Sequence, residues 1–267
     1  MKIIAEIGWN HMGDMKLAET MISEASNAGA DYCKFQTWKV KNLKNGPWNF
    51  DGRLEIYNKA ELSDDDHSTL INLCKKYKVK FLTSIFNIKD IDFISKLSND
   101  AIKIPSPEIY NLDLIKEACK NFKKIFISVG ACNWKEFNNI LNSGIDLNKV
   151  FFMHCVSSYP LKEENVNFPK LLEIKKLHNQ IGYSGHLKGT EDAIAAISLG
   201  AIIVEKHFTI DNNLPGQDNK FALLPSEMKT ISNYRNIFSK MSVNKGLDVQ
   251  ECEMNIYKNY RGRWSKK

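Results

Sequence analysis

The stretch AIIVEKHFTIDNNLPGQDNK, residues 201–220, changes from apolar to polar within a few positions. Residues 201–204 are small or β-branched, which favours a buried strand. Glu205, Lys206 and His207 follow with no turn residue between them. Because side chains alternate between the two faces of a strand, Glu205 and His207 share one face. The stretch therefore predicts a buried strand that brings a carboxylate and an imidazole to one place.

Similar short runs rich in Ile, Val or Phe recur along the chain, with amphipathic segments between them. The strand-like runs are 3–8, 32–36, 81–85, 102–106, 125–130, 150–156, 180–185 and 202–208. Eight strands alternating with helices predict an α/β protein, a (β/α)8 TIM barrel over residues 1–245, followed by a short tail at 246–267. A doubly wound open sheet is the alternative, but no glycine-rich dinucleotide turn follows the first strand. The long connection at 37–61 contains Trp38 and Trp48, and its aromatic content predicts a lid over the barrel mouth.

Composition excludes several functional classes. The 267 residues are 43% apolar and 25% charged, as in ordinary globular proteins. No apolar run approaches the ~18 residues of a membrane span and the N-terminus has no secretory pattern, so we expect a cytoplasmic protein without membrane contact. Six cysteines without a C-x-x-C pair argue against a zinc ribbon or a disulfide scaffold. The net charge of +6 comes mostly from dispersed lysines, which argues against a nucleic-acid partner.

Polar side chains lie at the predicted strand ends, where barrels of this type carry their catalytic groups. Lysines with serines and a threonine can bind a phosphate or a carboxylate. Histidines on neighbouring strands, such as His186 and His207, can hold a divalent cation with open positions. One strand-end serine is usually a helix cap, so the prediction depends on the joint occurrence. The set indicates a metal-assisted reaction on a small phosphorylated, anionic substrate.

A series of motifs gives a more specific interpretation. AEIGWNHMGD, ADYCKFQTW, FLTSIF, IKIPSPE, ISVGA, HCVSSYP, GYSGH, LGAIIVEKHFT and NNLPGQDNK resemble, in this order, motifs of the sialic acid synthase family. Enzymes of that family make N-acetylneuraminate and related nonulosonates from phosphoenolpyruvate and a hexosamine, on a (β/α)8 barrel. The resemblance runs from residue 3 to about residue 230.

The resemblance implies a role for each matching residue. The implied catalytic residues are Glu6, Glu108, Lys34 and Lys103. The implied substrate-binding residues are Thr83, Ser106, Ser128, Ser157 and Ser184 for phosphoenolpyruvate, and Gln36, Tyr159 and Asp218 for the sugar. The implied ligands of a divalent metal, Mn²⁺ or Mg²⁺, are His186 and His207. The resemblance also implies a homodimer.

The sequence departs from the family pattern in three respects. We expect the antifreeze-like C-terminal domain of the family to be absent, and Arg261 or Arg263 in the tail is a candidate for the arginine that this domain supplies to the sugar. Gly185 stands where the family usually has aspartate. Pro105, Pro107 and Ile85 also replace the usual residues. These departures leave the phosphoenolpyruvate and metal half intact and put the sugar half in question.

The expected reaction is the metal-dependent condensation of phosphoenolpyruvate with an open-chain aldose, an N-acylated hexosamine, giving a 3-deoxy-2-ulosonic acid for surface glycans. Phosphate is released by C–O cleavage. One alternative is a 3-deoxy-ulosonate phosphate synthase acting on a phosphorylated aldose. Others are a Schiff-base aldolase using Lys34 or Lys103, and a non-catalytic barrel that binds a sugar.

Overall fold

The computed structural model describes residues 1–264, and its centre is a closed barrel of eight parallel strands. The strands are β1 (Lys2–Gly8), β2 (Tyr32–Thr37), β3 (Lys80–Ile85), β4 (Ile102–Ile104), β5 (Ile125–Val129), β6 (Val150–Cys155), β7 (Ile181–Gly185) and β8 (Ile203–His207). Each strand pairs with its neighbours in sequence, and β1 closes the barrel on β8. This confirms the predicted (β/α)8 barrel.

Helices surround the barrel and cover the outward side chains of its strands. They are α1 (Met15–Asn27), α2 (Arg53–Ala60), α3 (Asp64–Lys76), α4 (Asp90–Leu97), α5 (Leu112–Asn121), α6 (Trp134–Leu141), α7 (Phe168–Leu177), α8 (Glu191–Ser198), α9 (Pro225–Met241) and α10 (Met254–Asn259). Side chains of Asp14, Ser63, Asn111 and Asn133 accept backbone N–H bonds at the starts of α1, α3, α5 and α6. Among the described residues no helix combines the length and apolar character that crossing a membrane requires.

The barrel interior has two layers because strand side chains alternate in direction. The lower layer is apolar and contains Ile4, Tyr32, Leu82, Ala101, Phe126, Met153 and Ile203. Two positions further along each strand, the inward residues are Glu6, Lys34, Ser84, Lys103, Ser128, Cys155 and Glu205. The chain thus places a polar layer directly on a dry apolar floor, near the carboxyl ends of the strands.

The connection at 37–61, which was predicted to form a lid, places Trp38 and Trp48 in the lining of the cavity at the barrel mouth. It contains two short 3₁₀ helices, Val40–Asn42 and Pro47–Asn49, before α2 begins. Gly13 has a φ of +80°, and a Cβ at this position would overlap the carbonyl oxygen of Lys59 at the end of α2. Only glycine allows both the turn and this close approach. The contact fixes α2 beside the turn that follows β1.

The tail has little contact with the barrel. Residues 246–264 are exposed apart from the partly buried Met254, and they include a 3₁₀ helix, Glu251–Glu253, followed directly by the short helix α10. The division at residue 245 remains a prediction, and residues 265–267 of the predicted tail lie outside the described residues.

Candidate active site

Four charged side chains meet on the apolar floor of the barrel. Lys34 Nζ lies 2.8 Å from Glu6 Oε2 and 3.6 Å from Glu205 Oε1, and Lys103 Nζ lies 2.7 Å from Glu205 Oε2. All four residues are at most 5% exposed. Burying single charges is costly, so a folded chain keeps such groups only as pairs. We call Glu6, Lys34, Lys103 and Glu205 the charged floor.

Hydroxyl groups surround the charged floor. Ser184 Oγ donates to Glu205 Oε1 at 3.0 Å, and Lys34 Nζ donates to Ser84 Oγ at 2.9 Å. Ser106 Oγ lies 3.4 Å from Cys155 Sγ, and Ser128 also faces the cavity. Ammonium groups together with hydroxyls are donors suited to phosphate and carboxylate oxygens.

The pKa values of the two carboxyl groups of the charged floor are shifted in opposite directions. Burial raises the pKa of Glu6 and outweighs the attraction of Lys34. Burial acts in the same direction on Glu205, but Lys103 and Lys34 together lower its pKa to about 2. Carboxylates with pKa values displaced in opposite directions are suited to different tasks. Glu205 stays ionised and holds the lysines, whereas Glu6 is the group able to carry a proton.

Two histidines lie at the adjoining ends of β7 and β8. The rings of His186 and His207 have centroids 5.4 Å apart. His186 Nδ1 donates to the carbonyl oxygen of Val156 at 2.9 Å, which fixes the ring. His207 Nδ1 is buried, has no hydrogen-bond partner among the described residues, and lies 3.4 Å from Asp218 Oδ2. Burial, reinforced by the charges of His186 and Lys34, holds the pKa of His207 well below its ordinary value.

These features fit a divalent cation. A neutral imidazole with an unused buried nitrogen beside a carboxylate is a typical ligand environment. Within residues 1–264, no three His, Cys, Asp or Glu side chains converge as a complete metal cluster. His186 and His207 would supply two ligands of such a cation, and substrate or water oxygens would have to complete its coordination.

The remaining predicted residues form the walls above the floor. Gln36 Nε2 donates to Glu6 Oε1 at 2.6 Å. The ring of Tyr159 lies 4.2 Å from that of His186, between centroids. Burial raises the pKa of Asp218 to about 7 and also raises that of the half-buried Glu108. Both carboxyl groups thus face the cavity with increased proton affinity.

One cavity of about 880 Å³ contains nearly all of the predicted site residues. Its lining includes Glu6, Lys34, Gln36, Lys103, Ser106, Glu108, Ser128, Ser157, Tyr159, Ser184, His186, His207 and Asp218. The structure brings together, at the carboxyl end of one barrel, residues spread over more than two hundred positions.

Thr83 is the exception, and its predicted role requires correction. It lies outside the cavity lining, where its Oγ1 is 2.8 Å from Thr37 Oγ1, which in turn is 2.9 Å from His67 Nε2. The inward residues of β3 are Leu82 and Ser84. Because side chains alternate along a strand, the hydroxyl that reaches Lys34 belongs to Ser84.

Sequence reasoning also missed functional residues. Glu205 was placed on the same face as His207 but was given no role, although it pairs with Lys103 across the barrel. The cysteine count argued only against a zinc ribbon or a disulfide scaffold, and it did not reveal that Cys155 lines the cavity beside Ser106. The alternation of strand side chains could have identified both, because Glu205 lies two positions before His207 and Cys155 lies two positions before Ser157.

Lys206 and Gly185 lie on the side of the strands that faces α8, where both are close to Asp192. Lys206 points away from the cavity and pairs with Asp192 at 2.7 Å, and Tyr183 donates its hydroxyl to the same carboxylate at 3.0 Å. A Cβ at Gly185 would overlap Asp192 Oδ2 and the ring of Tyr183. The carboxylate of Asp192, from α8, thus occupies the space that a side chain at position 185 would need. The buried pair ties the end of β8 to α8.

Neither tail arginine lies in the cavity of this chain. Arg261 stacks over Tyr257 at 4.2 Å, and Arg263 lies over Tyr260 and Trp264 at 5.0 and 5.1 Å. Neither is part of the cavity lining. Within a single chain, the structure does not support the prediction that Arg261 or Arg263 supplies an arginine to the sugar.

Known proteins match this chain over most of the barrel. The model of the NeuB family matches residues 21–245. N,N'-diacetyllegionaminic acid synthase of Campylobacter jejuni is 37% identical over 245 residues, covering 86% of this chain and 73% of that protein. Human N-acetylneuraminate-9-phosphate synthase is 29% identical, covering 94% and 74% of the two chains. The crystal structure of N-acetylneuraminic acid synthetase from Leptospira borgpetersenii with citrate is 28% identical, has a TM-score of 0.87, and covers 99% of this chain and 92% of that one.

Proposed function

The chain belongs to the NeuB family, and we propose that it joins phosphoenolpyruvate to an open-chain N-acylated aldose, giving a 3-deoxy-2-ulosonic acid and phosphate. It is an enzyme, a transferase of the nonulosonate synthase type. The observation that carries the proposal is the charged floor. Two buried lysines within a ring of hydroxyls are held on an apolar base, where a small anion with a phosphate and a carboxylate group can be enclosed.

The floor residues bind and orient phosphoenolpyruvate. The donors available to its phosphate and carboxylate oxygens are Lys34, Lys103, Ser84, Ser106, Ser128 and Ser184. Holding two small reactants in line is worth ~7–11 kcal/mol of a reaction barrier, more than one proton-transfer group supplies. We therefore assign most of the rate enhancement to positioning by these donors.

The aldose binds above the floor. Gln36, Tyr159 and Asp218 offer an amide, a phenol and a carboxyl group to its hydroxyl and acylamino groups. A divalent cation, Mn²⁺ or Mg²⁺, held by His186 and His207 would supply Lewis-acid polarisation of the aldehyde oxygen. Both histidines line the cavity that holds the charged floor, so the cation would act on an aldehyde bound in that cavity.

The bond changes balance with one water molecule. The CH2 carbon of phosphoenolpyruvate bonds to the aldehyde carbon as the C=C π bond and the aldehyde C=O π bond break, and a water oxygen adds to C2. One water proton passes to the aldehyde oxygen, which becomes a hydroxyl group. The C2–O bond to phosphate then breaks, which leaves a C2 carbonyl group and phosphate that carries the second water proton. Glu108, on the cavity wall, orients the water, and Glu6 transfers the first proton from the water to the aldehyde oxygen. Glu205 remains an anion throughout and keeps both lysines in place.

The test is phosphate release from phosphoenolpyruvate with Mn²⁺, measured with and without N-acylated hexoses. The reaction is run in ¹⁸O-labelled water. We expect release to require the aldose, with the label in the organic product and none in phosphate. Label in phosphate, or release that does not depend on the aldose, would indicate simple ester hydrolysis and contradict the proposal. Lys103→Met should abolish release, and the exposed Lys135→Met is the matched control.

Two further expectations accompany this function. Phosphoenolpyruvate is made and used in the cytoplasm, so we propose that the enzyme acts there. We also retain the homodimer as a proposal, which light scattering of the purified chain tests directly. A monomer at micromolar concentration would contradict it.

A further inference from the structure

An ion pair is buried on the outer side of β7 and β8, behind the two histidines of the site. Lys206 Nζ lies 2.7 Å from Asp192 Oδ1 and 2.9 Å from Asp192 Oδ2, so the ammonium group contacts both oxygens of the carboxylate. Lys206 is 3% exposed and Asp192 is 2% exposed. Neither residue lines the cavity that contains the charged floor. Substrate binding therefore does not account for this pair.

The ammonium group of Lys206 also joins the two strands that carry the histidines. Lys206 directly precedes His207 at the end of β8, and its Nζ donates to the carbonyl oxygen of Leu187 at 2.5 Å. Leu187 directly follows His186. One buried group thus connects the chain beside one histidine to the chain beside the other. We call the Lys206 ammonium group, the Asp192 carboxylate and the Leu187 carbonyl group the strand clamp.

The carboxylate of the strand clamp is held in one orientation. Its Oδ1 accepts the backbone N–H of Ala193 at 2.8 Å, and its Oδ2 accepts the hydroxyl of Tyr183, on β7, at 3.0 Å. A Cβ at Gly185 would overlap the same Oδ2, so the close approach of this carboxylate to β7 requires glycine directly before His186. Asp192 therefore anchors the ammonium group to α8 and to β7 together.

The two histidine rings are held to different extents. His186 Nδ1 donates to the carbonyl oxygen of Val156, whereas His207 Nδ1 has no hydrogen-bond partner among the described residues. The position of the His207 ring therefore depends mainly on the backbone of β8, which Lys206 ties to the end of β7. Metal–nitrogen bonds of about 2.0–2.1 Å tolerate deviations of only about 0.2 Å. A small displacement of β8 relative to β7 would therefore weaken cation binding.

We propose that the strand clamp is a positioning element, which sets the separation of His186 and His207 and thereby the affinity of the site for its divalent cation. Lys206 and Asp192 act through the backbone of β7 and β8, not by contact with the cation or a substrate. Losing the groups that hold metal ligands in place lowers metal affinity about 10- to 100-fold. The inference rests on the proposed function, because the cation belongs to the same site.

The first test is a calorimetric titration of the enzyme with Mn²⁺ alone, which requires no turnover. The double variant Lys206→Met with Asp192→Asn removes the strand clamp and leaves no unpaired charge, and the asparagine oxygen can still accept a hydrogen bond from Ala193 or Tyr183. We expect the midpoint of urea unfolding to stay close to that of the original enzyme, and the Kd for Mn²⁺ to rise about 10- to 100-fold. An unchanged Kd, or a Kd that rises only together with a lowered midpoint, overturns the inference.

The single variant Lys206→Met tests the sign of the effect. It removes a positive charge near the site, and charge alone would then tighten the binding of Mn²⁺. The strand clamp predicts weaker binding. Lys80→Met is the control, because it removes a lysine that pairs with Asp100 at 2.8 Å at the other end of the barrel. Tighter binding in Lys206→Met, or an equal change in Lys80→Met, overturns the inference.

Turnover separates the strand clamp from a general loosening of the barrel. Lys34 and Lys103 keep their own carboxylate partners in the double variant. We expect its KM for phosphoenolpyruvate at saturating Mn²⁺ to stay within about twofold, while the Mn²⁺ concentration for half-maximal rate rises with the Kd. Equal rises in both would overturn the inference. An original enzyme that releases no phosphate would contradict the proposed function, whereas the Mn²⁺ titration would still test the strand clamp.

Discussion

Replacing Lys103 by methionine separates the structural task of the charged floor from its catalytic task. Lys103 is 1% exposed, and its Nζ lies 2.7 Å from Glu205 Oε2. Methionine fills a similar volume, so the main effect is that Glu205 loses its closest cation. Removing one partner of a buried ion pair costs about 3–5 kcal/mol. Lys34, at 3.6 Å from the other oxygen of Glu205, compensates in part, which places the expected loss near about 3 kcal/mol.

The double variant Lys103→Met with Glu205→Met makes this expectation discriminating. An apolar pair in place of a buried ion pair is often neutral for stability, and the remaining Lys34 keeps Glu6 as its partner. We expect the double variant to unfold within about 1 kcal/mol of the original enzyme and to remain inactive. The single variant would then be both unstable and inactive, whereas the double variant would be stable and inactive because it lacks the two charged groups.

Urea unfolding at pH 7, followed by tryptophan fluorescence and circular dichroism, measures the free energies of unfolding. Phosphate release measures turnover in the same preparations. A single variant that loses less than about 1 kcal/mol would refute the account of Glu205 as a buried anion. Turnover of phosphoenolpyruvate by the double variant would refute the role of the floor in binding this substrate.

Three further expectations follow from residues outside the floor. Burial lowers the pKa of His11 to about 4 from an ordinary value near 6.5, so the protein loses about 3 kcal/mol of folding free energy as pH falls from 6.5 towards 4. His11→Gln should remove this part of the acid sensitivity, which urea unfolding at pH 7 and pH 4.5 measures. An equal loss of stability in both proteins would contradict this expectation. Gly13→Ala forces a left-handed alanine against the Lys59 carbonyl oxygen, and we expect about 1–3 kcal/mol less stability with a higher KM for the aldose; a KM change confined to phosphoenolpyruvate would count against it. Deleting residues 246–267 should leave both KM values unchanged if the chain acts alone, because Arg261 and Arg263 lie outside the cavity, whereas a selective rise in the aldose KM would indicate that a second copy receives the tail.

The barrel was predictable because each strand is a short apolar run between polar boundaries. The boundaries shifted where local chemistry intervened. The fourth run was expected to extend to residue 106, but β4 ends at Ile104, since Pro105 lacks an N–H donor and a 3₁₀ helix begins at Ser106. Helix α2 went unpredicted because it buries only Ala60 and therefore has no apolar stripe.

The sequence predicted the residues of the cavity correctly except on β3, where the predicted residue, Thr83, is one position away from the residue that faces inward, Ser84. Thr83 and Ser84 are adjacent and both polar, so composition does not tell which of them faces inward; the alternation shared with Leu82 does. The pairing of Lys103 with Glu205 joins residues 102 positions apart, and no local pattern shows such a contact. The barrel closure that brings β4 and β8 to a common interior is what creates it.

Carbon–carbon bond formation is the central claim, and one measurement tests it most directly. Phosphoenolpyruvate labelled with ¹³C at C2 is incubated with the enzyme, Mn²⁺ and the preferred N-acylated aldose, and the products are followed by NMR. The account predicts that the label moves to the hemiketal C2 of a 3-deoxy-2-ulosonic acid, in amounts equal to the phosphate released. Label found only in pyruvate, or remaining in phosphoenolpyruvate, would contradict it.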